Sequence, residues 1–496
     1  MPHFLSDDEL RRVREAQTTA FRSPVPTQII SNGEFSPVAQ TAEQKQVEAR
    51  IKEHADREAK RQGMSRRRFL GTAAGMATAF LAMNEVFGPV FTVNAAEAAE
   101  PERADARAAS LRDQFIIDDQ THFVHDGFQH EGIVGLGLFA AEHWNPDLDP
   151  KKLSLASYKF ENYVREIFLN SDTKVALLSG APFDDPSWWL LPNEQIREAV
   201  DMINSVSGAR RMLGHFVITP GQDGWMEAVD EALETMRPDS WKGYTIGDPL
   251  SASTKYPWRL DDEELMYPFY EKAVKAGVNT LCIHKGLMPA DYKTSWKDVW
   301  QFNTHVDIAK AAKDWPQMNF VIYHGCFRPF LEKPDATLAE FEKSGTIDWS
   351  TQLSRIPEEH GVDNVYAELG TAFATCATAN PRLAAALVGT FIKGMGANRV
   401  VWGTDSVWYG SPQWQIEALR RLEIPDDMQK KHGFAPLGSA AGLVKNTIFG
   451  YNSARLYNVD ATAFADPLPE DHLASIKREY ELAGGIRTNT TFGYVA

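Results

Sequence analysis

Eight apolar, β-branched runs alternate with helical patterns along most of this chain, and that rhythm constrains the fold more than any other feature. The runs are Phe115–Val124, Lys174–Ser179, His215–Thr219, Gly243–Ile246, Asn279–His284, Asn319–His324, Asn364–Leu369 and Arg399–Thr404. Helical patterns lie between them at Tyr158–Asn170, Asn193–Ser207, Trp225–Met236, Asp262–Ala276, Phe302–Lys313, Pro381–Met395 and Pro412–Arg421. Each helix returns the chain so that the next strand runs parallel to the last. The pattern predicts an α/β fold, a (β/α)8 TIM barrel with loop insertions, preceded by an N-terminal leader. An open doubly wound sheet competes, and the lack of a Gly-rich phosphate turn favours the closed barrel.

Such barrels place their chemistry at the carboxyl ends of the strands. Here those ends carry His284, His324, Glu368 and, just past the last run, Asp405. The first run holds Asp118, Gln120 and His122 at alternate positions, which in a strand share one face. A single His at a strand end is more often a hydrogen-bonded structural residue. Four ends bearing His, His, Glu and Asp beside a first strand with Gln and His form a constellation. Imidazole and carboxylate are the donors a borderline divalent ion prefers.

A net charge of −16 argues against a nucleic-acid surface, which needs a clustered basic face. Cys282, Cys326 and Cys376 are not spaced as a zinc knot, and an odd count completes no disulfide framework. They read as buried structural thiols.

Ser65-Arg66-Arg67-Arg68-Phe69-Leu70 precedes an Ala- and Gly-rich apolar run to about Val93, then Ala96-Glu97-Ala98. The order of basic pair, apolar core and small-x-small site resembles a twin-arginine export signal. It predicts a periplasmic or otherwise exported protein that engages the twin-arginine machinery, with tethering by an uncleaved signal as a variant. A transmembrane or buried domain helix is the alternative, and Asn84, Glu85, Gly88 and Pro89 weaken a membrane span. The expected division is a polar extension over 1–63, the signal segment over 64–98 and a linker over 99–113. The barrel follows over 114–459 and a C-terminal extension over 460–496. Residues 42–63 read as a charged, solvated helix with no core face.

The succession of strand-end residues resembles the amidohydrolase superfamily, and within it the amidohydrolase-related (amidohydrolase 2) branch, over about residues 114–459. The closing Asn452-Ser453-Ala454-Arg455-Leu456-Tyr457 resembles the branch's terminal N-x-A-x-x-L helix. The resemblance implies a metal-dependent hydrolase or decarboxylase with one divalent ion, zinc foremost and manganese or another ion as alternatives. It implies that His122 and His284 bind the ion and that Asp405 completes or faces the site. His324 is then the acid or base beside the ion-bound water, and Glu368 supports the site or orients substrate. The branch's first strand reads His-x-His, whereas this chain has Gln120-Thr121-His122, so Gln120 is a weak ligand or a substrate contact. A two-ion site is not expected, because Lys242 is placed before the fourth strand, at the opposite rim.

An ion of this kind lowers the pKa of bound water, and His324 takes or returns a proton. Asp405 holds the ion, orients the water or serves as base; Asp118 orients a ligand or is a buried structural carboxylate. The expected reaction is hydrolysis of a C–N or C–O bond in a small substrate. The alternatives are non-oxidative decarboxylation of the aminocarboxymuconate-semialdehyde decarboxylase type, and an exported binding protein on a degenerate barrel. Trp188-Trp189, Phe327-Arg328-Pro329-Phe330 and Trp408-Tyr409 are candidate aromatic walls, with Arg328 the candidate carboxylate-binding group. Family members often pair, which makes a homodimer an expectation without any stretch that demonstrates an interface.

Overall fold

Eight parallel strands pair in chain order: β1 Ile117–Thr121, β2 Val175–Leu178, β3 Met212–Val217, β4 Ser240–Tyr244, β5 Thr280–His284, β6 Asn319–Tyr323, β7 Val365–Glu368 and β8 Val400–Val401. In this computed structural model the described residues are 23–30, 40–128, 155–249, 251–329, 333–464 and 471–485, with Leu138 and Glu142. Phe330, residues 1–22 and parts of the C-terminal extension lie outside them. The sheet closes where the chain beyond β8 meets β1. Asp119 N–H donates to Trp402 O at 2.9 Å, Asp405 N–H to Gln120 O at 2.9 Å, and Val407 N–H to His122 O at 3.1 Å.

Alternation decides what faces the lumen. Ile117, Val175, Leu177, Leu213, Cys282, Val321, Tyr323, Tyr366 and Val401 form one buried cluster inside the barrel. Leu281, Ile283, Phe320, Ile322, Val365, Ala367 and Val400 pack outward in the main hydrophobic cluster. Each fully buried aliphatic side chain contributes roughly 1.5–3 kcal/mol, so apolar layers plug the lumen and leave the strand ends for polar groups.

Helices Asn193–Ser207 and Pro381–Met395 match their expected spans. The first ends on Gly208 in the left-handed region, and the second starts with Asn380 accepting from Arg382 N–H and Pro381 in the first turn. The helix expected from Asp262 begins at Tyr267, where Pro268 is tolerated only near the start. The fourth strand differs in position. It is Ser240–Tyr244, so Lys242 lies within it and is fully buried, not at the opposite rim.

Before the barrel comes a helical layer: Ala42–Arg61, Arg66–Leu70, Ala73–Phe87, Ala95–Ala99 and Pro101–Leu111. Helix Ala42–Arg61 starts in a capping box of Thr41 and Gln44 and, contrary to expectation, has a core face of Val47, Ile51, Ala55 and Ala59. Residues 101–111, expected as part of a linker, are helical. Helix Ala73–Phe87 is buried over most of its surface. Gly75 permits a close approach: a Cβ there would lie 2.4 Å from Phe69 O. Phe91 bridges antiparallel to Leu422, and Thr92 N–H donates to Arg421 O at 2.7 Å. No helix among the described residues is long and apolar enough to cross a membrane.

Candidate active site

The polar end of the barrel is built on backbone held in costly conformations. Asp405 (φ 56) and His324 (φ 59) both occupy the left-handed region, where a non-glycine residue costs about 1–3 kcal/mol. The Glu368 Oε2 atom accepts from His324 N–H at 2.9 Å and fixes that turn. β1 contributes an irregularity: its register against β2 shifts between Asp118 and Thr121. The expected row of three is therefore split. Asp118 accepts from Thr404 N–H at 2.9 Å and Thr404 Oγ1 at 2.6 Å, whereas Gln120 and His122 turn to Asp405.

Four expected residues converge directly. His122 Nε2 lies 3.1 Å from Asp405 Oδ1, with His122 Nδ1–H donating to Ser179 O at 2.9 Å. Gln120 Nε2 is 3.0 Å from Asp405 Oδ1, 3.4 Å from His122 Nε2 and 3.5 Å from His324 Nε2. Thr371 Oγ1–H donates to Asp405 Oδ2 and meets Tyr409 OH at 3.0 Å. His284 adjoins through its ring, 4.7 Å from the His324 ring at 71°, and stacks on Tyr244 at 4.6 Å. Trp408 lies over His122 at 6.0 Å and against Tyr158 at 5.0 Å.

Arg328 has partners of its own. Its Nε–H donates to Asp348 at 2.5 Å and its guanidinium lies 5.6 Å from the Tyr292 ring centre. Trp188 is 46% exposed.

Sequence reasoning missed Thr371, Ser179 and the two glycines that make room for the cluster; it named Tyr409 only as part of an aromatic wall and set Lys242 at the opposite rim. A Cβ on Gly370 would lie 2.8 Å from Gln120 Oε1, Glu368 Oε2 and His324 Nδ1. One on Gly403 would lie 2.0 Å from Glu368 Oε1. A glycine beside a strand-end carboxylate is a readable sign of close approach; Thr371 carries no such sign.

Burial sets the charges. It raises Asp405 by itself, but the His122 bond and charge, with His324 and the Thr371 hydroxyl, override it and hold this carboxyl well below the usual carboxylate range. Burial keeps the His324 imidazole neutral, pushed down to about 3, although Asp405 pulls the other way. Burial likewise lowers His284 and raises Glu368 well beyond their ordinary values. Asp118 is pushed up to about 7 by burial against the pull of its Thr404 bonds. The Lys242 Nζ lies 3.5 Å from the Tyr323 ring centre and 5.0 Å from that of Tyr244. The site thus sets an ionised Asp405 carboxylate beside the neutral His324 and His284 imidazoles, with burial favouring the uncharged forms of Glu368 and Asp118.

A structural or catalytic zinc needs three or more donors at about 2.0–2.3 Å from one point. The His122–Asp405 edge has a suitable length. Yet among the described residues no group of three His, Cys, Asp or Glu comes together to hold an ion, and the third group on that edge is the Gln120 amide. The donors present do not fit the expected His122, His284 and Asp405 centre, and no step below runs through an ion.

The amidohydrolase family model matches residues 117–459. No curated protein matches the sequence. Similar solved structures include an uncharacterised TIM-barrel protein from Bordetella bronchiseptica, 14% identical, covering 71% of this chain and 99% of that one, with a TM-score of 0.43. A dihydroxybenzoic acid decarboxylase from Polaromonas sp. JS666, solved with manganese and an inhibitor, is 13% identical, with 70% and 97% covered and a TM-score of 0.41. A 4-oxalomesaconate hydratase from Rhodopseudomonas palustris is 14% identical, with 74% and 100% covered and a TM-score of 0.40.

Proposed function

The chain belongs to the amidohydrolase family, and from that premise we propose that it is a hydrolase of a small substrate, cleaving an amide C–N or an ester or lactone C–O bond. The observation that carries the reading is the Gln120 amide nitrogen, 3.0 Å from Asp405 Oδ1 and 3.5 Å from His324 Nε2, which gathers an ionised carboxylate and a neutral imidazole at the buried strand ends. A neutral imidazole has the lone pair needed to take a proton from an attacking water. The Asp405 charge then stabilises the imidazolium that forms, and His324 returns the proton to the departing nitrogen or oxygen. In this reading Asp405 serves as a fixed negative charge beside the base. Gln120 and Thr371 hold that charge in place, and Trp408 offers a flat wall for substrate.

The test is a panel of lactones, amides and aromatic acids, assayed for acid product and for carbon dioxide. Acid formation that disappears in His324→Ala supports hydrolysis. Carbon dioxide release with no water consumed would reassign the site to decarboxylation, and no turnover on any substrate would favour a binding role.

Export by the twin-arginine route is part of the proposal. It is supported by the Ser65–Leu70 motif, whose Arg67 and Arg68 are exposed. Cell fractionation of the native chain and of a chain with Arg66 and Arg67 changed to Lys checks it.

A further inference from the structure

Gln120 stands where the family resemblance expects a histidine, and its geometry is not that of a weakened ligand. A carboxylate only accepts hydrogen bonds, and Asp405 Oδ1 lies 3.0 Å from the Gln120 amide nitrogen. The end of the amide facing Asp405 is therefore the NH2 group, not the oxygen. That nitrogen sits within 3.0, 3.4 and 3.5 Å of Asp405 Oδ1, His122 Nε2 and His324 Nε2. The first is a hydrogen bond and the other two are longer polar contacts, and all three exceed metal–donor bonds by about an ångström or more. The oxygen end points to the slot left by Gly370, where a Cβ would come within 2.8 Å of it. A buried lysine acts on the same histidines. Lys242 is fully buried in β4, whose residue Tyr244 stacks on His284.

We infer that the Gln120 amide takes the place of the ion in this chain: its NH2 group occupies the point where ligands would meet, so the native site holds no stoichiometric divalent metal. The inference rests on reading this cluster as the active site. It makes Gln120 a positioning residue for Asp405 and His122.

The experiment needs no substrate. The purified full chain is equilibrated with excess Zn2+ or Mn2+, desalted, and its metal content and melting temperature are measured. The native chain should keep far less than one ion per molecule, and its melting temperature should not move on adding either ion. Gln120→His supplies a third donor of the right class and should retain about one zinc per chain with a raised melting temperature. Gln120→Glu keeps the size and sets two carboxylates together; it should melt lower until Mn2+ or Zn2+ restores it. A native chain that keeps one ion through desalting, or is stabilised by adding one, overturns the inference. So does a pair of folded variants that gain no ion. A failed substrate search leaves this result standing, and a metal-loaded native hydrolase would overturn this inference alone.

Discussion

Asp405 Oδ1 and His122 Nε2 face each other at 3.1 Å in the buried end of the barrel, and each is held from behind, Asp405 by Thr371 and His122 by Ser179 O. That pair places a permanent negative charge beside His324, and removing the charge tests it most directly. Asp405→Asn keeps the shape and should fold, while turnover falls by about 10²–10⁴-fold. Turnover within a few-fold of native would sink the assignment of Asp405.

Thr371→Val removes the hydroxyl that donates to Asp405 without changing side-chain size. Loss of a donor to a buried charged group costs about 1–3 kcal/mol. We expect a lower melting temperature and a drop in kcat, both recovered in Thr371→Ser. An unchanged Thr371→Val enzyme would show that the hydroxyl does nothing for the carboxylate.

The pH dependence of stability has two opposed parts. His215, His284 and His324 stay neutral when folded but take protons near pH 6.5 when unfolded, so stability is lost as pH falls below about 6.5. Asp118 acts the other way. It keeps its proton up to about 7 when folded but only to about 4 when unfolded, so it favours the fold as pH falls through that window. Asp118→Asn removes the Asp118 share of this second part, up to about 4 kcal/mol, and urea midpoints should fall more steeply between pH 7 and 4 than in the native protein. Parallel curves would contradict the elevated Asp118.

Gly403→Ala drives a methyl group into the Glu368 carboxyl, 2.0 Å from Oε1. Overpacking of this kind costs about 1–3 kcal/mol, and it displaces the group that fixes His324. Turnover should fall further than stability does. Equal loss of both, read from kcat at a temperature well below melting, would make Gly403 a packing residue only.

The network under the N-terminal layer gives a stability test. Glu417 accepts from Arg107 at 2.7 Å, Arg420 at 3.0 Å and Arg421 at 3.0 Å; these arginines override burial and hold its carboxyl far down. Arg421 also binds Glu97 at 2.5 Å. Glu417→Gln leaves buried cations short of a partner and should cost about 3–5 kcal/mol, with proteolysis opening first between residues 62 and 100. A change below about 1 kcal/mol would show the network to be solvated.

Most of the barrel could be read in advance because most of its strands lie in apolar, β-branched runs. The strand Ser240-Trp241-Lys242-Gly243-Tyr244 was placed too late, since a Lys and a Gly in its middle hide a lumen-facing position that only the closed barrel creates. Residue types at strand ends revealed Gln120, His122, His284, His324, Glu368 and Asp405, but not the β1 irregularity that separates Asp118 from Gln120. Thr371 reaches Asp405 only through the turn after β7, which no local pattern announces. Helix Ala42–Arg61 looked solvated because its buried stripe includes two alanines among many charges.

The Phe91–Leu422 bridge and the Glu97–Arg421 pair tie the segment before residue 99 to the chain just after the strand that leads to Asp405. A cut after Ala98 would therefore not release the preceding residues; it would leave a two-piece complex. The barrel would then behave as one partner in a binding equilibrium, its melting temperature rising with protein concentration. Intact mass under denaturing conditions, set beside gel filtration of the same sample, would distinguish a nicked complex from a shortened chain.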